Sequence, residues 1–133
     1  MTEQTTARIE AVRTVGIPVG DQDRALQFYA QTLGFDTLMD APLEQLGGRW
    51  IEVRPPESTI TIALTPAAEQ TPAGVDTGIR FTTQSAQALY DQLSGQGVDV
   101  DELLRWEGVP PMFDFRDPDG NVLYVSESPR PER

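Results

Sequence analysis

The side chains available for chemistry in this chain are a restricted set. Its ten basic residues are all arginine, and it has no histidine, cysteine or lysine. That leaves no imidazole base, no thiolate nucleophile and no amine for a Schiff base. Of the usual transition-metal ligands, only carboxylates remain. Two short runs carry functional groups at every second residue: Trp50, Glu52 and Arg54 in one, Met112, Asp114 and Arg116 in the other. Arg80 and Tyr124 lie in runs of the same alternating kind. A period of two places each set on one face of a strand. An arginine fork suits a carboxylate or phosphate, and Trp50, Met112 and Tyr124 offer surfaces for a flat ligand. The same charges also read as ion pairs that neutralise one another, and the aromatics as plain packing. All eight are candidate ligand-binding residues, and no catalytic residue stands out.

The elements that must hold these residues follow from periodicity. Val15, Ile17 and Val19 alternate as in a half-buried strand. Asp21 can cap a helix whose stripe is Ala25, Leu26, Tyr29 and Leu33, ended by Gly34. Strands are predicted at Phe35–Met39, Arg49–Arg54 and Thr59–Thr65. A linker follows from Pro66 to Val75. The pattern then restarts, with a strand at 77–83, a helix at 84–96 and an irregular or strand segment at 98–104. Strands at Met112–Arg116 and Val122–Ser126 are joined by Asp117-Pro118-Asp119-Gly120-Asn121, which has Pro and Gly where a tight turn wants them.

A shift of about 63 residues superposes Gly34-Phe35-Asp36 on Gly97-Val98-Asp99, so the chain reads as a duplicated βαβββ module. The expected division is an arm at 1–8, one α+β domain at 9–127 made of module 1 (9–66) and module 2 (75–127), and a tail at 128–133. Parity assigns Val15, Ile17, Ile51, Val53, Ile60, Ile62, Leu64, Ile79, Phe81, Phe113, Phe115, Leu123 and Val125 to the helix-packed face. The eight candidates fall on the opposite face.

Composition excludes several partners. A formal net charge of -11 repels phosphate backbones and anionic lipids, which argues against nucleic acid and membrane surfaces. No apolar run approaches the roughly 20 residues of a membrane span. The polar N-terminus shows no secretory pattern, so a cytoplasmic location is the expectation.

The segments Val15-Gly16-Ile17-Pro18-Val19-Gly20-Asp21, Ala25-Leu26-Gln27-Phe28-Tyr29, Leu33-Gly34-Phe35 and Gly95-Gln96-Gly97-Val98, with the ending Phe113 to Leu123, resemble the vicinal oxygen chelate superfamily. This group includes glyoxalase I, extradiol dioxygenases and bleomycin or fosfomycin resistance proteins. The resemblance implies two curled sheets around a cavity. It also implies metal ligands on the first and last strand of each module, positions that fall here on Thr14, Ala63, Gly78 and Tyr124. None is His, Glu or Gln, so no metal and no other cofactor is expected.

The reading that follows is a metal-free protein that holds a small molecule in the cavity between the two modules, and a homodimer. The alternative is an enzyme of the lyase, isomerase or dioxygenase type, using Glu52 or Asp114 as base with Arg and Tyr124, or a weak carboxylate metal site. The loop Trp106–Pro111 reads either as a lid or as a dimer contact.

Overall fold

In the computed structural model, which describes residues 6–128, the alternating segments form two four-stranded mixed sheets. The first holds β1 (Thr14–Val19), β2 (Asp36–Leu43), β3 (Gly48–Arg54) and β4 (Thr61–Pro66), in the order β1-β4-β3-β2. The second holds β5 (Asp76–Thr83), β6 (Asp99–Val100), β7 (Met112–Arg116) and β8 (Val122–Glu127), in the order β5-β8-β7-β6. In each sheet the first and last strands of the module pair in parallel. Helix α1 (Gln22–Gln27) follows β1, and α2 (Ala86–Gly95) follows β5. The fold is therefore α+β, two tandem βαβββ modules. No helix among the described residues is long and apolar enough to cross a membrane. Most of the N-terminal arm and nearly all of the C-terminal tail lie outside the described residues.

Local chemistry explains the helices. Asp21 accepts from the Arg24 N–H at 3.0 Å and caps α1. Ser85 does the same for α2 through Ala88. The single first helix read from the sequence is in fact two pieces. After Gln27 the chain widens into a π-helical turn over Phe28–Thr32, where Leu33 N donates to Phe28 O at 3.0 Å. Gly34, at φ 79°, then lets Phe35 N reach back to Tyr29 O at 2.9 Å.

Other boundaries also moved. β1 begins at Thr14, and β2 runs on to Leu43. β4 starts at Thr61, because the Ser58 hydroxyl closes a turn onto both Ile60 O and Ile60 N. Ile60 is consequently 41% exposed and does not belong to the packed face. The 98–104 segment contributes only the two-residue β6 and a bridge from Leu104 to Met112.

The parity assignment otherwise describes the core, except that Val15 is half-buried and lies outside the core cluster. Ile17, Ile51, Val53, Ile62 and Leu64 from the first sheet are buried with Phe113, Phe115, Leu123 and Val125 from the second. Ala25, Phe28, Tyr29, Ala86 and Leu93 from the helical segments fill the same cluster. Phe28 lies 6.4 Å from Phe115, and Phe35 meets Phe81 edge-on at 5.5 Å. The two apolar faces thus turn toward one shared interior that contains the helices. The polar face of each sheet lies on the side opposite that shared interior.

The Asp117–Asn121 turn does more than reverse the chain. Gly120 takes φ 84°, as such a turn requires. Tyr29 also donates to Asp117 Oδ2 at 2.8 Å. Asp119 Oδ1 accepts from Gly20 N at 2.9 Å and from Arg24 at 3.0 Å. These bonds fasten module 2 to the start of module 1.

Candidate functional site

The polar face of the first sheet is organised around Glu52, which β3 pairs opposite Ala63 of β4. Glu52 is only 5% exposed. It accepts from Trp50 Nε1 at 2.7 Å, Thr61 Oγ1 at 3.0 Å and Arg13 at 3.2 Å. The Trp50 hydrogen bond, helped by Thr61 and Arg13 against the effect of burial, holds its carboxyl below the ordinary range. Glu52 is therefore ionised at neutral pH and pins the Trp50 indole in place. Arg54, two residues on, has a buried Nε with no partner among the described residues.

The polar face of the second sheet is centred on Tyr124. β8 sets it between Arg80 of β5 and Asp114 of β7. The Arg80 guanidinium carbon lies 4.2 Å from the centre of the Tyr124 ring. The Tyr124 hydroxyl donates to Asp76 Oδ2 at 2.7 Å, and this bond, with burial and the Asp76 charge, pushes the phenol above its ordinary value. Asp76 Oδ1 in turn accepts from Gly78 N at 3.1 Å. β5 bulges between Asp76 and Arg80, with Gly78 at φ 70°. Burial, then the neighbouring Asp101, pushes the Asp114 carboxyl up.

A cavity of about 330 Å³ opens on this face, lined by Arg80, Leu104, Met112, Asp114, Tyr124 and Ser126 among others. It brings together four of the eight candidates: Arg80, Met112, Asp114 and Tyr124. Arg116 lies beyond it, paired with Asp101 at 3.4 Å and lining a separate groove with Gln96 and Asp99. Trp50, Glu52 and Arg54 lie on the other sheet. The ion pairs expected among Glu52, Asp114, Arg54, Arg80 and Arg116 do not form: Glu52 and Arg54 lie on a different sheet from the other three, and Arg116 takes Asp101 rather than Asp114. Glu52 takes Arg13 instead, and Arg80 stacks on Tyr124.

Sequence reasoning missed Asp76, Leu104 and Ser126. Asp76 shares the parity of Gly78 and Arg80, which was signal enough. It lies one residue before the strand predicted at 77–83, and β5 begins on it.

The profile of the Glyoxalase/Bleomycin resistance protein/Dioxygenase superfamily matches residues 11–125. The chain belongs to this superfamily. Among solved structures it is similar to TnmS3, an antibiotic binding protein from Streptomyces sp. CB03234, at 31% identity and TM-score 0.81, covering 93% of this chain and 100% of that one. A superfamily member from Sphaerobacter thermophilus DSM 20745 is 32% identical, with TM-score 0.81 and 90% and 98% coverage. A curated relative, the uncharacterized protein YetH of Bacillus subtilis (strain 168), is 28% identical over 127 residues, 90% of this chain and 99% of its own.

Metal-dependent members of the superfamily would place ligands at Thr14, Ala63, Gly78 and Tyr124. These residues do not fit a metal. Two have no side-chain donor, and the Tyr124 hydroxyl is engaged by Asp76. Among the described residues, no three His, Cys, Asp or Glu side chains are grouped as a metal would need.

Proposed function

We propose that this protein binds a small organic molecule without a metal ion, as an antibiotic-binding or resistance-type member of its superfamily. The cavity over Tyr124 carries this reading. Its volume of about 330 Å³ lies at the lower end of ligand pockets, and it sets a few polar groups in an apolar wall. The kinship with an antibiotic binding protein supports the same class of ligand.

The cavity is a half-cup, walled by module 2 alone. Trp50 and Glu52 lie on the other sheet of the same chain. A two-fold pairing of chains brings module 1 of one copy over module 2 of the other and closes two equal cavities. The working form is thus a homodimer, with ligand held between modules of different copies. Sedimentation should return twice the 14.7 kDa chain mass at micromolar concentration. A 14.7 kDa species throughout would sink the dimer.

The ligand reading is tested by a thermal-shift screen of untagged protein against an antibiotic panel, followed by titration of each hit. Tyr124→Ala should weaken a true hit at least tenfold. Hits that bind Tyr124→Ala like the parent would place the site elsewhere.

A further inference from the structure

We propose that Arg80 takes the place of the superfamily's metal as the electrophilic centre of the cavity, so that the ligand is a flat aromatic molecule bearing an oxyanion on its edge. The inference rests on the reading of the Tyr124 face as a ligand wall. It goes further by naming what that wall selects.

Three features converge on Arg80. First, the β5 bulge lies immediately before it. The two positions where a metal ligand would sit on this sheet, Gly78 and Tyr124, have become the hinge of that bulge and the ring beneath the guanidinium. Bulges next to functional sites re-aim side chains, and a residue at φ 70° favours glycine. Second, the support is fixed in turn. Gly78 N–H holds one Asp76 oxygen, and the other accepts the Tyr124 hydroxyl. The Asp76 carboxylate is therefore occupied at both oxygens, and Tyr124 is held under Arg80. Third, Arg80 takes part in no ion pair among the described residues. One face of its guanidinium rests on Tyr124. The other face and the N–H edge remain for a ligand in a cavity whose further lining includes Leu104, Met112, Ser126 and the Asp114 carboxyl, which burial pushes up and so toward its neutral form.

A planar cation pre-oriented by stacking suits a paired-oxygen or carboxylate edge, because its fork donates two parallel hydrogen bonds. The apolar residues of the wall then take the ring system. In the proposed dimer, Trp50 of the second copy, pinned by its own Glu52, would supply the opposite stacking surface. An ammonium ligand gains nothing from Arg80 and meets like charge.

The test uses three probes on one ring: 2-naphthoate, 2-acetonaphthone and 2-naphthylmethylammonium. Each is titrated calorimetrically into the untagged parent and into Arg80→Met, Arg80→Lys, Asp76→Asn and Tyr124→Ala. The parent should prefer naphthoate over the ammonium by about tenfold or more, the scale of a charge-assisted hydrogen bond. Arg80→Met should abolish that preference while retaining the ketone within a few-fold. Arg80→Lys should recover only part of it, because it restores charge without the fork. Asp76→Asn should reduce it less than Arg80→Met does. If all three probes bind equally to the parent and all are lost in Tyr124→Ala, the ligand wall stands and the Arg80 inference is overturned. The same holds if the preference survives Arg80→Met. If no probe binds, or Tyr124→Ala binds them unchanged, the ligand wall fails and the inference with it.

Discussion

Asn121 donates from Nδ2 to the carbonyl of Pro18, 103 residues earlier, at 2.9 Å, and so joins the last turn of module 2 to the first strand of module 1. The same nitrogen reaches Asp117 Oδ2 at 3.0 Å, while Oδ1 accepts from Gly74 N and Val75 N at 2.8 and 2.9 Å. Asn121 is fully buried. One side chain thus satisfies the incoming linker, the turn and the facing module.

Asn121→Ala removes all four bonds and strands buried partners, each worth about 1–3 kcal/mol when left unsatisfied. The expected loss is about 3–5 kcal/mol in urea denaturation. A loss under about 1 kcal/mol would show that water replaces the side chain and that the tie is not structural.

Tyr29 supplies the second strand of that tie and gives it a pH signature. Burial, then the Asp117 charge and hydrogen bond, pushes its phenol well above the ordinary value of 10.0. The folded state therefore keeps the proton after the unfolded chain has released it. Stability from this group is complete below about pH 10 and falls as pH rises above it. Tyr29→Phe should be less stable by about 1–2 kcal/mol at pH 8. It should also decline more gently above pH 10, so that the two stability curves converge. Parallel curves would contradict the assignment.

Glu52 carries the opposite sign. Its carboxyl is held below the ordinary range, so its contribution is present above the unfolded value of about 4.3 and is lost as pH falls through the lower folded value. Glu52→Gln should flatten the acid limb of the stability curve. Glu52→Ala, which leaves no acceptor, should release Trp50 from its 2.7 Å bond, visible as a change in indole fluorescence. An unchanged emission spectrum would mean that the indole is held by packing alone.

Untagged protein should carry well under one equivalent of zinc, nickel, iron or manganese by elemental analysis, and chelator treatment should leave both stability and ligand affinity unchanged. A stoichiometric metal at the Tyr124 cavity would overturn the metal-free reading. A polyhistidine tag must be removed first, because it supplies ligands that this chain lacks.

Legibility in the sequence follows the range of the forces involved. Alternation is local, so it found Ile17, Ile62 and Phe113 inside and placed Arg80, Asp114 and Tyr124 together on one face. It failed at Ile60, where a Ser58 turn delays the strand. It also missed the π-turn at Phe28–Thr32, because one added residue per turn leaves no compositional mark. The Asp117–Asn121 segment was readable as a turn through Pro118 and Gly120. Its partners Pro18 and Tyr29 were not, since nothing in a local window encodes a contact across the whole chain. The same gap made Trp50, Glu52 and Arg54 look like neighbours of Arg80. Parity assigns a residue to a face of its own sheet and is silent on how two sheets are turned.

The split of Trp50 and Tyr124 between two sheets has a genetic counterpart. On the dimer reading, every cavity draws one wall from each of two chains, although each chain encodes both. A Trp50→Ala chain and a Tyr124→Ala chain, each impaired alone, should therefore rescue one another when mixed. Every mixed dimer would pair the two damaged walls in one cavity and leave the other wholly intact. With free exchange at equal amounts, half the dimers are mixed, and about one site in four regains full affinity. Covalently fused copies carrying one mutation each would raise that fraction to about one in two. Restoration of this kind is closed to any protein whose cavity lies within a single chain.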